Sequence, residues 1–218
     1  MTKNELIILV PKGAEYNAVC RGVKAASSAP LVFSIPMGVK PLTQYLEKDF
    51  SRSPSQVLIM GLCGSLSPKF GVGDVVLYES CRYEGEVLEC DRSFTTQLYH
   101  HLKTKVPLVK SLTSNSVVYS TSEKRELAEK FPVEVVDMEG FPALKILSQR
   151  GISVAMLRVV SDDSQHNIPN LNAAIDNQGN LQPLSLAREM ITQPIATFNL
   201  IKGSLQALKS LQKVAAKI

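Results

Sequence analysis

Short apolar runs alternate along this chain with longer segments in which apolar side chains recur at helical spacing. The runs are rich in Val, Ile and Leu, which is typical of buried strands. Strands are predicted at residues 6–10, 31–35, 56–60, 75–78, 108–112, 133–136 and 153–160. Helices are predicted at residues 14–24, 39–50, 94–103, 120–130 and 139–150. This alternation predicts an α/β fold, which we expect to be a three-layer α/β/α sandwich around a mixed central sheet.

The last part of the chain has only the helical pattern. An amphipathic helical tail is predicted from about Leu184 onward, and Pro194 divides it in two. Its second half combines an apolar stripe with lysines, and no acidic residue follows Glu189. Such a helix packs on the sheet or makes peripheral contact with an anionic membrane, and both interpretations stay open. With 218 residues and no internal repeat, the chain is expected to form one domain, 1–218, that includes this tail.

Composition and charge narrow the class of protein. Hydrophobic residues make up 44% of the chain and charged residues 20%, as in ordinary globular proteins. No apolar run reaches the roughly 20 residues of a membrane span, and the first run is too short for a secretory signal, so we expect a cytoplasmic protein. A net charge of +4 without a basic stripe argues against nucleic-acid binding. The four cysteines and three histidines show no metal-ligand spacing, so free thiols and no metal are expected.

Carboxylates end two of the predicted strands. Residues 135–140 read Val-Val-Asp-Met-Glu-Gly, and residues 157–163 read Leu-Arg-Val-Val-Ser-Asp-Asp. In open α/β sheets ligands bind at the carboxyl ends of strands, so Asp137, Glu139 and Asp162 are expected around one crevice. The alternative is that each acid caps a helix or offsets its dipole.

Three other segments border the expected crevice. The sequence Gly-Leu-Cys-Gly-Ser-Leu at 61–66 would let the backbone approach a ligand or another strand closely. It has neither the Gly-Lys-Ser/Thr end of a P-loop nor the spacing of a dinucleotide fingerprint. Glu15 lies in the first turn of the first predicted helix, where it either offsets the helix dipole or points to the ligand edge. The polar segment 164–183 is either a lid or a surface excursion.

In combination, these blocks resemble the nucleoside phosphorylase and nucleosidase superfamily. The resemblance rests on the first strand with Glu15, the glycine block 61–66 with residues 72–76, the Asp-Met-Glu at 137–139 and the Arg-Val-Val-Ser-Asp at 158–162. It covers most of the chain through residue 163. It implies cleavage of the N-glycosidic bond of a purine nucleoside or nucleoside-like small molecule, without a cofactor, by a homo-oligomer.

The resemblance also implies roles for individual side chains. Asp162 would protonate the departing base as general acid, and Glu139 would accept hydrogen bonds from the ribose hydroxyls. Met138 would pack against the sugar, and Asp137 belongs to the same substrate-binding set. Arg158 would orient Glu139 or the acid of the first helix, or form a structural ion pair. The other residues implied around the substrate are Ser161, which helps to place Asp162, and Cys63, Gly64, Val117 and Val118, which flank the base.

The nucleophile stays open at this stage. Phosphorylases of this superfamily usually have Ser or Thr directly after the first glycine of the glycine block, where this chain has Leu62. The backbone at Gly61 and Leu62, with Arg21 or Lys12, would then have to bind phosphate. In the nucleosidases a glutamate near the first strand handles the attacking water, and Glu15 is close to that place. We expect phosphorolysis with inorganic phosphate as co-substrate; the alternatives are hydrolysis by water and a non-catalytic nucleoside-binding relative.

The tail carries a second resemblance. Residues 181–184, the break at Pro194 and the basic final helix are similar to the tail of the hopanoid-associated phosphorylase branch. Members of that branch are thought to cleave adenine from an adenosylated triterpene lipid. A lipid-linked substrate would give the amphipathic helix a purpose.

Overall fold

The computed structural model describes residues 6–24, 30–102, 106–176, 178–180 and 182–218. Within these ranges the strands are β1 Leu6–Pro11, β2 Leu31–Ile35, β3 Gln56–Ser65, β4 Val75–Tyr83, β5 Glu86–Glu89, β6 Leu108–Thr113, β7 Val135–Asp137 and β8 Ser153–Asp162. The α-helices are α1 Ala14–Val23, α2 Val39–Lys48, α3 Arg92–His101, α4 Thr121–Lys130, α5 Gly140–Gln149, α6 Pro183–Thr192 and α7 Pro194–Ala215. Residue 103, the predicted end of the third helix, and residue 181 of the tail lie outside the described ranges.

The strands form one mixed sheet that closes partly on itself. On one side β2, β1, β3 and β8 pair in parallel, and β4 then pairs antiparallel with β8. β4 also pairs with β5 in a hairpin and in parallel with β6, which is followed by β7. The far end of β3 pairs antiparallel with β7, so β3, β8, β4, β6 and β7 form a ring.

Helices cover both faces of the sheet. In β1 the side chains alternate between the faces, as the pleat requires. Ile7 and Leu9 pack into the core beneath α2 and α5. Ile8 and Val10 pack into a second core beneath α1, α3 and α7. The expected α/β fold with a mixed central sheet is therefore confirmed.

Three strands, β3, β4 and β8, extend two residues or more beyond their predicted ends, and the acids come together in a different way from the one expected. β3 continues through the glycine block to Ser65, where the block pairs with another strand, β7. β7 and β8 run in opposite directions relative to β3, so their ends do not share one parallel edge. Instead, Gly64 of β3 pairs with both Val136 and Asp162. The acids meet because both strands pair with the far end of β3.

The tail packs on the domain through one face of α7. Gly203, Ala207, Leu211, Val214 and Ala215 are buried against α1 and the sheet. The packing interpretation therefore holds for this face of the helix. Other apolar side chains of α7 stay exposed, among them Ile195 at 80% and Phe198 at 65%. None of the helices in the described ranges has the length and apolar character needed to cross a membrane.

Close packing of α1 on α7 predicts an effect of substituting Gly22. A Cβ atom there would lie 2.3 Å from the Gln212 carbonyl oxygen and 2.8 Å from Ala215 Cβ. We expect Gly22→Ala to lower the free energy of unfolding by about 1–3 kcal/mol in urea titrations, because the helices must move apart. In the control Gly71→Ala the nearest atom would lie 4.0 Å away, and the change should stay within about 0.5 kcal/mol. Equal stabilities of the two variants would contradict the close helix contact.

Candidate active site

A cavity of about 490 Å³ lies where the far end of β3, the β7–α5 turn and the end of β8 meet. The start of α1, the segment around Val117 and parts of α6 and α7 complete its walls. Most of the residues predicted for the site line this one cavity: Glu15, Leu62, Cys63, Gly64, Val117, Val118, Asp137, Met138, Glu139, Ser161 and Asp162. Their roles stay predictions, but the structure places them together.

A fully buried arginine lies behind one wall of the cavity. Arg158 Nη2 is 3.2 Å from Asp137 Oδ2 and 3.5 Å from Glu139 Oε2. Gly61 pairs with Arg158 across the β3–β8 ladder. A Cβ atom on Gly61 would lie 2.4 Å from Arg158 Nη1 and 2.5 Å from Glu15 Oε2. The glycine therefore makes room for a cation and a carboxylate.

Each carboxylate of this cluster also has a backbone or hydroxyl partner. The Leu62 N–H donates to Glu15 Oε2 at 2.7 Å. The Gly38 N–H donates to Glu139 Oε1 at 3.0 Å. Asp137 Oδ1 accepts hydrogen bonds from Thr113 Oγ1 at 2.9 Å and from the Gly140 N–H at 3.1 Å. These donors fix the orientation of the three acids. Sequence reasoning missed Gly38 and Thr113, because only the tertiary fold brings them to the cluster.

Burial dominates the electrostatics of the cluster. It raises the pKa of Glu139 to about 7 against the opposing effect of Arg158, and the Asp137 and Glu15 carboxylates add to the rise. Burial also raises the pKa of Glu15, although Arg158 and the Leu62 N–H partly offset it. Burial alone would lower the pKa of Arg158, but the neighbouring carboxylates raise it overall. One permanent cation thus faces three acids, and the wall is negative once they ionise.

Asp162 lies at another part of the cavity with a separate set of partners. Ser161 Oγ donates to Asp162 Oδ2 at 2.8 Å and lies 3.2 Å from the Cys63 carbonyl oxygen. Lys124 Nζ forms an ion pair with Asp162 Oδ1 and donates to the Asp163 carbonyl oxygen at 2.6 Å. Lys124 is fully buried, which could not be predicted from the sequence, because a lysine in a polar helix normally faces water.

The polar segment 164–183 forms part of the cavity wall. Asn172 Oδ1 accepts a hydrogen bond from the Val117 N–H at 2.7 Å, and its Nδ2 donates to the Val117 carbonyl oxygen at 3.2 Å. Ile168, Leu171 and Ile175 of the same segment line the cavity. The segment is thus tied to the residues expected beside the base.

The residues expected at a phosphate site do not form one. Arg21 is exposed on α1, and its Nε lies 3.3 Å from Gln212 Oε1, outside the cavity lining. The Leu62 N–H already donates to Glu15. Lys12 does line the cavity. In the described part of the chain no three His, Cys, Asp or Glu side chains are arranged to hold a metal ion, and all four cysteines are free thiols.

Comparison with known proteins places the chain in a family. Residues 30–191 match the family model of the phosphorylase superfamily, and the chain belongs to this superfamily. No curated protein sequence matches the chain significantly.

Solved structures with the same fold are distant in sequence. One is the 5′-methylthioadenosine/S-adenosylhomocysteine nucleosidase of Helicobacter pylori with butyl-thio-DADMe-Immucillin-A, at 14% identity and a TM-score of 0.67, covering 100% of this chain and 98% of that one. Futalosine hydrolase of Helicobacter pylori has 14% identity and a TM-score of 0.66, with coverage of 99% and 98%. The 5′-methylthioadenosine nucleosidase of Arabidopsis thaliana has 13% identity and a TM-score of 0.69, with coverage of 98% and 93%.

The raised pKa of Glu139 predicts a pH-dependent contribution to stability. Between about pH 4.5 and 7 the folded protein keeps a proton on Glu139 that the unfolded chain releases, so this contribution falls as pH rises. The unfolding free energy of the wild type minus that of Glu139→Gln should therefore decrease from pH 5 to pH 7. The control is Glu86→Gln, which removes an exposed carboxyl group in place of a buried one. A constant difference for Glu139→Gln would contradict the raised pKa.

Proposed function

We propose that this protein hydrolyses the N-glycosidic bond of a purine nucleoside, with water as the nucleophile. The observation that carries the proposal is the carboxylate of Glu15, which accepts the Leu62 N–H where a phosphate would otherwise bind. The expectation from sequence was phosphorolysis, and this contact favours the hydrolytic alternative.

The part of the cavity around Asp162 suits a purine base. Cys63, Gly64, Val117 and Val118 line the same cavity as Asp162 and offer it backbone and apolar surface. A purine is a poor leaving group unless a ring nitrogen is protonated as the glycosidic bond breaks. Asp162 is the acid within reach of that position, and it acts as the general acid.

The acid cluster suits the ribose. Glu139 accepts hydrogen bonds from the ribose hydroxyls, and Met138 packs against the sugar. As the base departs, positive charge develops on the ribose ring. The carboxylates fixed by Arg158 are oriented before the reaction begins, so they stabilise this charge without reorganising.

Water suits the nucleophile position better than phosphate does. A phosphate at Leu62 would lie against the Glu15 carboxylate, and the two negative charges would repel each other. A carboxylate with a raised pKa is instead a suitable general base for a water molecule. Phosphorolysis remains the second candidate, because Lys12 is a cation on the rim of the same cavity.

The comparisons support hydrolysis and a 5′-substituted adenine nucleoside. The similar structures are nucleosidases and a hydrolase, and one holds an analogue with a butylthio group. In this chain Leu171, Ile175, Leu205 and Leu208 give the cavity an apolar wall. Such a wall binds an apolar 5′ group better than a hydroxyl. We therefore place 5′-methylthioadenosine and related compounds first among the substrates.

The choice of nucleophile is tested by the products. We expect 5′-methylthioadenosine to yield adenine and the free sugar in buffer without phosphate, with little change when phosphate is added. Adenosine and S-adenosylhomocysteine are assayed in parallel by liquid chromatography. Adenine release only with phosphate, together with a sugar 1-phosphate, would overturn hydrolysis in favour of phosphorolysis.

Substitution of Glu15 tests the general base. Glu15→Gln keeps an acceptor for the Leu62 N–H but cannot take a proton from water, so kcat should fall about 100-fold or more with a similar KM. Lys12→Met is the matched control at the same cavity rim and should change kcat little. The reverse pattern, in which only Lys12→Met lowers kcat, would indicate phosphate as the nucleophile.

A further inference from the structure

Lys124 is a charged side chain in a place where lysine is seldom found. Its side chain is fully buried, and it is the residue that the polar helix α4 buries. Removing an ammonium group from water is costly unless it is paired. The pairing is with Asp162 Oδ1 and the Asp163 carbonyl oxygen. The start of α4 is fixed by Ser120, whose hydroxyl accepts the Glu123 N–H at 3.2 Å.

These contacts determine where the transferable proton lies. Both oxygens of Asp162 accept hydrogen bonds, one from Lys124 Nζ and one from Ser161 Oγ. In this arrangement both oxygens of Asp162 act as acceptors, and the ammonium group of Lys124 is the charged proton donor beside them. The general acid of the proposed reaction is thus incomplete without Lys124.

We propose that Lys124 supplies the proton that Asp162 passes to the departing base. This inference rests on the proposed function. An Nζ–H bond of Lys124 breaks, and its proton forms an O–H bond with the Asp162 carboxylate. As the glycosidic bond breaks, its electron pair goes to the base, this O–H bond breaks, and the proton forms the base N–H bond. Asp162 ends as the carboxylate it was, the lysine is left as a neutral amine, and a proton from solvent restores its ammonium group.

A purely structural role for Lys124 makes a different prediction. An ion pair that only holds Asp162 and the following loop in place would matter equally for every substrate. A proton supply matters only when the leaving group needs a proton. A nitrophenolate leaves without protonation, whereas a purine does not. The two roles are therefore separated by changing the leaving group.

The test compares 5′-methylthioadenosine with p-nitrophenyl β-D-ribofuranoside in the full-length protein. For Lys124→Met we expect kcat on the nucleoside to fall about 100-fold or more, as for loss of a general acid, and kcat on the nitrophenyl riboside to stay within about threefold. Asp162→Asn should behave in the same way. Turnover of the nitrophenyl riboside also shows that the variant site is folded. The matched control is Lys145→Met, which removes an exposed lysine paired with Glu86 and should alter neither rate.

The variant Lys124→Arg tests whether position 124 needs only a positive charge or a group that can give up a proton. Lys124→Arg keeps a cation beside Asp162, but a guanidinium does not give up its proton in proteins. We expect it to remain as slow as Lys124→Met on the nucleoside. Full activity of Lys124→Arg, or an equal loss on both substrates for Lys124→Met, would overturn the proton supply. No wild-type turnover of either substrate would instead overturn the proposed function, and the inference with it.

Discussion

The buried guanidinium of Arg158 is the interaction on which the site depends. It lies on β8 and forms ion pairs with Asp137, the last residue of β7, and with Glu139, which directly precedes α5. A buried cation without such partners would be strongly destabilising, so the fold and the acid cluster require each other. Gly61 provides the space in which this cation and Glu15 approach. Arg158 therefore holds the acidic side chains of this cavity wall in place.

The closed ring of strands explains why two separate groups of acidic side chains share one cavity. The far end of β3 pairs with β7 on one side and with β8 on the other. This brings the Asp137–Glu139 turn and Asp162 to opposite edges of the same short segment. Arg158 pairs with Asp137 and Glu139, and Lys124 pairs with Asp162. Each of the two acidic groups therefore has its own buried cation.

The buried strands and the acids at their ends could be predicted from the sequence. The contacts that form only when the sheet closes into a ring could not. Apolar runs that end in acids identified Asp137, Glu139 and Asp162, because the pattern of apolar and polar residues indicates where a buried strand lies and where it ends. The extension of β3 through the glycine block could not be predicted, since glycine and serine lack strand propensity and only pairing holds them extended. Lys124 was missed because its helix is polar, and its burial depends on tertiary contacts with Asp162 and Asp163.

The central claim is that the acid cluster is built to favour a positively charged ribose. It is tested most directly by calorimetric binding of two adenine compounds, one with a protonated pyrrolidine and one with an uncharged cyclopentane in place of the ribose ring. We predict that the cationic compound binds about 100-fold tighter or more, as expected for a transition-state analogue. Equal affinities would contradict the claim, because a wall of fixed carboxylates cannot be indifferent to that charge.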